Sequence, residues 1–180
     1  MRNKGDQNII LIGMSGAGKS TLGVLLAKAL GMDFVDTDIL IQQREKRLLQ
    51  EIIDQEGIDR FLRVEEEVLS DLKLRNCVVA TGGSAVYSRR AMQALRERGT
   101  VIYLSVPYEE VEKRVTNITT RGIVMKRGRR LKDAYEERLP LYRTYSDVAI
   151  DCSGRDVEGC VGEMITKLFE AGVVTSSIKK

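Results

Sequence analysis

The sequence predicts an α/β fold in which a parallel sheet carries helices on both faces. Compact apolar runs rich in β-branched residues alternate with longer segments that have the 3.6-residue period of amphipathic helices. Strands separated by helices pair in parallel and are buried on both faces, so they read as continuous apolar runs. Because no linker and no internal repeat divides the 180 residues, we expect a single domain over residues 1–180.

The expected elements follow one another in a regular order along the chain. We predict strands at residues 8–12, 33–36, 77–80, 101–104 and 148–150. Helices are predicted at residues 21–30, 39–49 and onward to 72, and at residues 157–169, with Gly57 as an interruption. Residues 174–180 are expected to form a frayed tail.

The composition excludes several classes of chemistry. The chain has no histidine, which removes Ser-His triads, His-ligated zinc and facial-triad iron, and leaves acid–base work to carboxylates, Lys, Tyr or Cys. Cys77, Cys152 and Cys160 are an odd number without a CxxC pair, which fits a reducing cytoplasm rather than a disulfide framework or a zinc knuckle. No apolar run approaches the roughly 20 residues of a membrane span, so we expect a cytoplasmic protein without a membrane partner.

The charge pattern favours a small anionic partner over nucleic acid. A net charge of +3, from 29 basic and 26 acidic residues, is too balanced for the whole domain to bind nucleic acid. Residues 126–132 are strongly basic, and a nucleic-acid patch is one interpretation of them. The segment has no aromatic residue on which a base could stack, so a solvated lid is the favoured interpretation.

A glycine-rich motif lies between the first predicted strand and the first predicted helix. Gly13–Ser20 reads GMSGAGKS and matches GxxxxGK[ST], in which backbone N–H groups surround phosphate oxygens, Lys19 adds positive charge and the Ser20 hydroxyl faces Mg²⁺. The alternative is a glycine-rich turn that merely joins the strand to the helix, although a chance match to this pattern in this position is rare. The candidate nucleotide-binding residues are Gly13, Ser15, Gly16, Ala17, Gly18, Lys19, Ser20 and Thr21.

Two aspartates follow the second predicted strand. Asp36 and Asp38 are expected at the carboxyl end of a parallel strand, where α/β sheets bind ligands. Residues two apart on an extended chain point the same way about 6.5 Å apart, so one acid could orient hydrated Mg²⁺ and the other an acceptor hydroxyl. The alternative is that one aspartate caps the next helix and the other is solvated.

Together with two later motifs, these residues resemble the shikimate kinase family, small enzymes that transfer the γ-phosphate of ATP to a hydroxyl of shikimate. The matching segments are GMSGAGKST at 13–21, DTD at 36–38, ATGG at 80–83 and ERLPLY at 137–142, in order over roughly residues 8–170. The resemblance implies a three-layer fold with a central parallel sheet, a helical substrate-binding region at about residues 38–72, and a lid at about residues 113–132. It also implies ATP and Mg²⁺ as cofactors.

The resemblance assigns roles on the nucleotide side. Lys19 and Ser20 would hold phosphate and Mg²⁺, and Asp36 would assist the metal through water. Arg121 matches a lid arginine that closes on the phosphates, and Arg114 matches an arginine that lies against adenine.

It also assigns roles on the acceptor side. Asp38 would bind acceptor hydroxyls and act as the base, so that Lys19, Asp38 and Arg121 form the catalytic set. Gly82 and Gly83 would line the acceptor pocket, and Arg138 would grip the substrate carboxylate with its two-pronged guanidinium. The alternatives are a tight turn at the two glycines and an exposed cation at Arg138.

The chain departs from the family pattern around the acceptor and the lid. Leu62 stands where the family has a second carboxylate-binding arginine, and neither Arg63 nor Arg60 shares its direction, since one helical residue rotates a side chain by about 100°. Ser84 replaces a third glycine, and residues 120–124 read TRGIV instead of TRPLL. Loss of one charge-assisted contact weakens binding by roughly ten- to a hundredfold, so these changes bear on acceptor choice.

The sequence thus predicts an ATP-dependent kinase of a small carboxylated alcohol, with shikimate as the expected acceptor and shikimate 3-phosphate as the product. A kinase of another polyol, sugar acid or nucleotide is the first alternative, and a non-catalytic nucleotide-binding regulator is the second. We expect the protein to act as a monomer.

Overall fold

A five-stranded sheet, all of it parallel, forms the centre of the molecule. The computed structural model describes residues 7–116, 123–125 and 128–174. The strand order is β2-β3-β1-β4-β5, with β1 in the middle and buried along its whole length. This arrangement confirms the α/β prediction, since each strand is separated from the next along the chain by helical sequence.

The described elements match the predicted ones closely. The strands are β1 Asn8–Ile12, β2 Asp33–Asp36, β3 Cys77–Ala80, β4 Gly99–Ser105 and β5 Val148–Asp151. The helices are α1 Lys19–Leu30, α2 Thr37–Glu45, α3 Leu49–Glu56, α4 Ile58–Asp71, α5 Arg89–Arg98, α6 Tyr108–Thr116, α7 Leu131–Tyr145 and α8 Val157–Glu170, with a 3-10 turn at Ala85–Tyr87. The strand β4 is longer at both ends than the predicted run at residues 101–104.

The predicted helix at residues 39–49 is wrong in one respect, because it is two helices. The helix α2 ends at Glu45, and Lys46 then takes the left-handed conformation with φ 54°. A separate helix, α3, begins at Leu49. The spacing of apolar residues continues across the break, although the helix does not. Periodicity alone does not register such a break, because the residues on both sides bury their apolar faces in the same place.

The helices α2, α3 and α4 bury a second apolar cluster beside the main core. Its members are Ile41, Leu49, Ile52, Phe61, Val64, Val68 and Val124. Val124, which belongs to the described residues 123–125, therefore packs against the helices that follow β2. This cluster positions α4 at the edge of the sheet where the strands end.

The closing helix α8 covers the core as the sequence predicts. It begins one residue after Asp156, whose side chain accepts a hydrogen bond from the Gly159 backbone N–H, and it buries Cys160, Met164 and Leu168. Among the residues that the structure describes, no helix is long and apolar enough to cross a membrane. The predicted tail at residues 174–180 lies almost wholly outside the described residues.

The contact of α1 with the sheet depends on the absence of a side chain at Gly23. A Cβ atom there would stand 2.6 Å from Phe34 Cε2 and 3.2 Å from Leu11 Cδ1. We expect Gly23→Ala to lower the free energy of unfolding by about 1 to 3 kcal/mol, because overlap in a packed core outweighs the higher helix propensity of alanine. Urea denaturation measures the change.

Gly162 in α8 provides the matched control. A Cβ at Gly162 meets nothing within 4 Å. Gly162→Ala is therefore expected to raise the free energy of unfolding by about 0.5 to 1 kcal/mol through helix propensity alone. A Gly23→Ala protein as stable as the Gly162→Ala protein would contradict this account of the interface.

Candidate active site

The glycine-rich loop between β1 and α1 has the backbone shape of a phosphate cradle. Gly13, Gly16 and Gly18 have φ values of 147°, 84° and 92°, which residues with a Cβ rarely adopt. The buried Lys19 ammonium donates hydrogen bonds to the carbonyl oxygens of Gly13 at 2.7 Å and Met14 at 2.8 Å. The loop therefore wraps around a buried positive charge at the amino end of α1, where the helix dipole also favours an anion.

Ser20 and Asp36 are joined directly. The Ser20 hydroxyl donates to Asp36 Oδ2 at 2.6 Å, and Asp36 Oδ1 accepts the backbone N–H of Asp38 at 3.0 Å. Asp36 therefore caps α2, as the alternative from the sequence allowed, and also contacts the end of the phosphate loop. A hydroxyl and a carboxylate side by side are oxygen donors of the kind that Mg²⁺ takes together with phosphate and water.

Asp38 lies in the first turn of α2 and not on an extended strand. The expected spacing of two residues along a strand is wrong here, because β2 ends at Asp36 and α2 begins at Thr37. Both carboxylates still lie at the carboxyl end of β2. The two acids face different partners, since Asp36 contacts Ser20 whereas Asp38 lines the pocket described next.

One pocket, called here the Gly82 pocket, gathers most of the predicted site residues. The predicted residues that line it are Ser15, Gly16, Gly18, Lys19, Ser20, Asp38, Gly82 and Gly83. It is lined as well by Glu65 of α4, Ser84 and Val124. Parallel strands bring these segments together, because the loops after β1, β2 and β3 leave the same edge of the sheet.

Gly83 is packed against both the phosphate loop and Arg138. A Cβ atom at Gly83 would stand 2.9 Å from Ser15 Oγ, 3.0 Å from Ser15 N and 3.3 Å from Arg138 Nη1. Its carbonyl oxygen accepts the buried Tyr142 hydroxyl at 2.6 Å. The glycine pair is thus more than a turn, because its backbone packs directly against the phosphate loop and Arg138 with no room for a side chain at Gly83.

Arg138 is 1% exposed, so the alternative of an exposed cation is wrong. Its Nε donates to the Tyr87 hydroxyl at 3.0 Å, its guanidinium lies 5.0 Å from the centre of the Tyr87 ring, and Nη2 donates to the Val124 carbonyl. A guanidinium held against a partly buried ring, with a neutral hydroxyl and a neutral carbonyl as its oxygen partners, is suited to exchange the carbonyl for a carboxylate. Tyr87 was not among the residues selected from the sequence.

Glu65 is a second residue that sequence reasoning missed. It is fully buried on α4, and its Oε2 accepts the Ser84 hydroxyl at 2.7 Å. Burial raises the pKa of Glu65 to about 7; the Ser84 hydrogen bond opposes this shift, and the nearby Asp38 carboxylate adds to it. Glu65 ends the segment Phe61-Leu62-Arg63-Val64-Glu65, in which Leu62 replaces the arginine of the family pattern Phe-Arg-x-x-Glu and the glutamate is kept.

The arginines near Leu62 do not take its place. Arg63 is exposed, and Arg60 contacts Glu56 and Glu45 at 3.2 and 3.4 Å. Leu62 itself lines a separate cavity, which it shares with the apolar residues Ile58, Val124 and Met125 and with the charged residues Asp59, Arg129 and Glu137. The cation of this cavity, Arg129, is paired with Glu137.

A second cavity, called here the Arg114 cavity, opens on the other side of the phosphate loop. It has a volume of about 400 Å³, and the predicted residues that line it are Gly16, Ala17, Gly18, Thr21 and Arg114. Arg114 donates to the Gly16 carbonyl at 3.3 Å and to Glu110 at 2.8 Å. The cavity is also lined by residues that were not predicted to belong to a site, namely Cys152, Arg155, Asp156 and Cys160. Burial raises the pKa of the Cys152 thiol, so this thiol is a packing group at neutral pH.

The predicted lid arginine and part of the predicted lid lie outside the described residues. These are Arg121 and, from the expected lid at about residues 113–132, residues 117–122, 126 and 127. In the described ranges, no cluster of three or more His, Cys, Asp or Glu side chains is placed to hold a metal ion. A Mg²⁺ ion here would depend on phosphate oxygens and water, with Ser20 and Asp36 as the protein groups.

The buried Glu65 carboxyl predicts an unusual pH dependence of stability. Its pKa rises from 4.5 to about 7 on folding, so the folded chain binds an extra proton between these pH values. Relative to Glu65→Gln, the free energy of unfolding of the wild type is therefore expected to fall by about 3 kcal/mol as pH rises from 4.5 to 7, and to stay level above that. Denaturation of both proteins from pH 5 to 8 measures this difference, and a difference that is constant with pH would contradict the assignment.

Comparison with known proteins places the chain in a family. A sequence profile described as shikimate kinase matches residues 15–169. The shikimate kinase of Francisella tularensis subsp. holarctica is 36% identical over 172 residues, which cover 93% of this chain and 98% of that protein. The resemblance drawn from four short motifs is therefore confirmed over most of the chain.

Solved structures agree with the sequence comparisons. The shikimate kinase of Acinetobacter baumannii in complex with shikimate has a TM-score of 0.85 at 29% identity, covering 96% of both chains. The Aquifex aeolicus shikimate kinase has a TM-score of 0.78 at 29% identity, covering 92% of this chain and 98% of that one. With its phosphate loop, its sheet and nearly its whole length shared with these enzymes, the protein belongs to the shikimate kinase family.

Proposed function

We propose that the protein transfers the γ-phosphate of ATP to a hydroxyl of shikimate and releases ADP and shikimate 3-phosphate. The observation that carries the proposal is the position of Gly83, which is packed closely against both the phosphate loop residue Ser15 and the buried Arg138. A phosphate held by the loop and a carboxylate held by Arg138 would thus lie near the same residue. The A. baumannii relative, which has shikimate bound, supports the same acceptor.

On the phosphate side, the chain supplies charge and backbone donors. The backbone N–H groups from Gly13 to Thr21 and the Lys19 ammonium would hold the triphosphate, with Lys19 exchanging its contacts with the Gly13 and Met14 carbonyls for phosphate oxygens. Mg²⁺ would neutralise charge on the transferring phosphoryl group. Ser20 would hold the ion, and Asp36, already hydrogen-bonded to Ser20, would hold its water.

On the acceptor side, Asp38 would bind the attacking hydroxyl and take its proton. Gly82 and Gly83 would bring the backbone close to the acceptor ring, because a side chain at either position meets atoms at 3.1 Å or less. Arg138 would bind the acceptor carboxylate in place of the Val124 carbonyl. The proton leaves the hydroxyl as the oxygen attacks phosphorus, so Asp38 acts as general base and orienting group together.

The remaining assignments follow the family. Arg114 would lie against the adenine in the Arg114 cavity, and Arg121 would close on the phosphates as part of a lid at about residues 113–132, which excludes water from the reaction. Residues 38–72 would form the substrate-binding region of a single domain over residues 1–180. We further propose that the protein acts as a monomer in the cytoplasm.

Leu62 and Ser84 favour a second candidate, a kinase of another polyol, sugar acid or nucleotide, because both lie where the family pattern differs.

A non-catalytic regulator has less support. Asp38 and Lys19 share one pocket, and Arg138 is buried against Gly83 beside it. A protein that only binds nucleotide needs Lys19 but has no need of Asp38 or Arg138.

The acceptor is tested by ADP formation with Mg·ATP and a panel containing shikimate, gluconate, glycerol and nucleoside monophosphates. We expect ADP release that depends on shikimate and a product phosphorylated at one hydroxyl. Reaction without an added acceptor is the control for ATP hydrolysis. Turnover with another alcohol and none with shikimate would support the second candidate, and ATP binding without any turnover would support the regulator.

Asp38→Asn tests the proposed base with little change of shape. We expect kcat to fall by roughly 10² to 10⁴ because the amide cannot take the proton, while the KM for ATP stays within about threefold. Asp33→Asn is the matched control, since Asp33 is exposed at the start of β2, away from the Gly82 pocket. Equal activity of the two variants would show that Asp38 is not the base.

A further inference from the structure

The Gly82 pocket is too small in this structure to hold the proposed acceptor. Its volume is about 30 Å³. One water molecule takes about this much space in the liquid, whereas small-molecule sites in proteins have volumes of roughly 300 to 1,000 Å³. A group that lines the pocket must therefore move before a ring-shaped acceptor can enter.

The side chain of Val124 fills the pocket from one side. It is 5% exposed and belongs to the apolar cluster of α2, α3 and α4, which includes Phe61. Phe61 and Val124 both line the Gly82 pocket. Because the other members of the cluster lie on the three helices, Val124 can leave the cluster while the helices stay in place.

Val124 also separates the pocket from a larger space. This space, called here the Leu62 cavity, has a volume of about 230 Å³ and is lined by Leu62, Tyr87 and Met125 among others. Val124 lines both the Gly82 pocket and the Leu62 cavity. Without its side chain between them, the two spaces join into one that approaches roughly 300 Å³, the lower end of the range for small-molecule sites.

The backbone of Val124 occupies the arginine that the acceptor needs. Arg138 Nη2 donates to the Val124 carbonyl, while Nε of the same guanidinium donates to the Tyr87 hydroxyl. A hydrogen bond from arginine to a carboxylate is roughly twice as strong as one to a neutral carbonyl. Exchange of the carbonyl for a carboxylate is therefore favourable at Arg138, but it is opposed by the loss of the buried contacts of the valine side chain.

We propose that Val124 is an internal competitor of the acceptor. Its side chain fills the space between the Gly82 pocket and the Leu62 cavity, and its carbonyl occupies Arg138, so the acceptor binds only after Val124 has left both positions. This inference rests on the proposed function and adds to it a residue that sets the affinity for the acceptor.

The competition has a consequence that an ordinary wall residue does not have. The measured affinity for the acceptor equals the intrinsic affinity reduced by the fraction of molecules in which Val124 has left. A substitution that weakens the contacts of the Val124 side chain raises this fraction. It therefore strengthens acceptor binding, whereas shortening a residue that contacts a bound ligand weakens binding.

Two variants test the competition. Val124→Ala removes two buried methyl groups, and Val124→Thr keeps the shape of the side chain but places a hydroxyl in the apolar cluster. Both variants retain the backbone carbonyl that Arg138 binds. Calorimetry measures the Kd for shikimate, and steady-state kinetics at saturating Mg·ATP measure kcat and the KM for shikimate.

We expect Val124→Ala to lower the Kd and the KM for shikimate by roughly five- to fifteenfold, with kcat within about threefold, because two buried methyl groups stabilise the position of Val124 by about a factor of ten. Val124→Thr is expected to lower both constants by roughly three- to tenfold. A rise of both constants in the two variants would show that Val124 contacts the bound acceptor and would overturn the inference.

Val68→Ala is the matched control. Val68 belongs to the same cluster and is 8% exposed, but it is not among the described residues that line the Gly82 pocket or the Leu62 cavity. We expect Val68→Ala to lower the free energy of unfolding and to leave the Kd for shikimate within about twofold. Equal decreases of the Kd in Val68→Ala and Val124→Ala would indicate a general loosening of the cluster and would contradict the competition.

Folding and the proposed function are separated by two further readings. Thermal denaturation shows whether Val124→Ala folds; if it does not, Val124→Thr decides, and an unchanged or higher Kd overturns the inference. Absence of shikimate turnover by the wild type overturns the proposed function and this inference together. Normal wild-type turnover, with the Kd unchanged or raised in the Val124 variants, overturns this inference alone.

Discussion

The parallel register of β2, β3 and β1 is the constraint on which the site depends. Asp36 pairs with Ala80 and Ala80 with Leu11, so three strands end side by side at one edge of the sheet. The phosphate loop, the capping aspartate and the glycine pair leave the sheet from these three ends. A parallel sheet requires helical crossovers, and the crossover from β2 to β3 carries α4 with Glu65 to the same edge.

A buried polar network joins the two halves of the site. The Tyr142 hydroxyl donates to the Gly83 carbonyl at 2.6 Å, and its ring stacks on Tyr103 of β4 with centroids 5.2 Å apart. Its neighbour Arg138, one turn earlier on α7, is held by Tyr87. Each polar group has a partner in a region of low dielectric, so the network fixes the distance between the phosphate loop and Arg138.

Sequence reasoning succeeded where function depends on a contiguous motif and was incomplete where it depends on packing. Gly13–Ser20 lies between β1 and α1 as predicted, since glycine conformations and a helix start are local properties. Asp38 lines the Gly82 pocket, but it lies on a helix and not on a strand, because the capping bond from Asp36 turns the chain one residue earlier than expected. Glu65 was missed, since nothing in its own segment indicates that a serine 19 residues later would bind it.

The sequence by itself determined the α/β class, the phosphate loop and the family, because strand periods, glycine spacing and short ordered motifs are encoded within a few neighbouring residues. Only the tertiary structure decided that Arg138 is buried and lies on the Tyr87 ring, that Leu62 shares a cavity with Arg129 and Glu137, and that Ser84 holds Glu65. These contacts join residues far apart in the chain, and their energies depend on burial. Burial is a property of the folded whole and not of any segment.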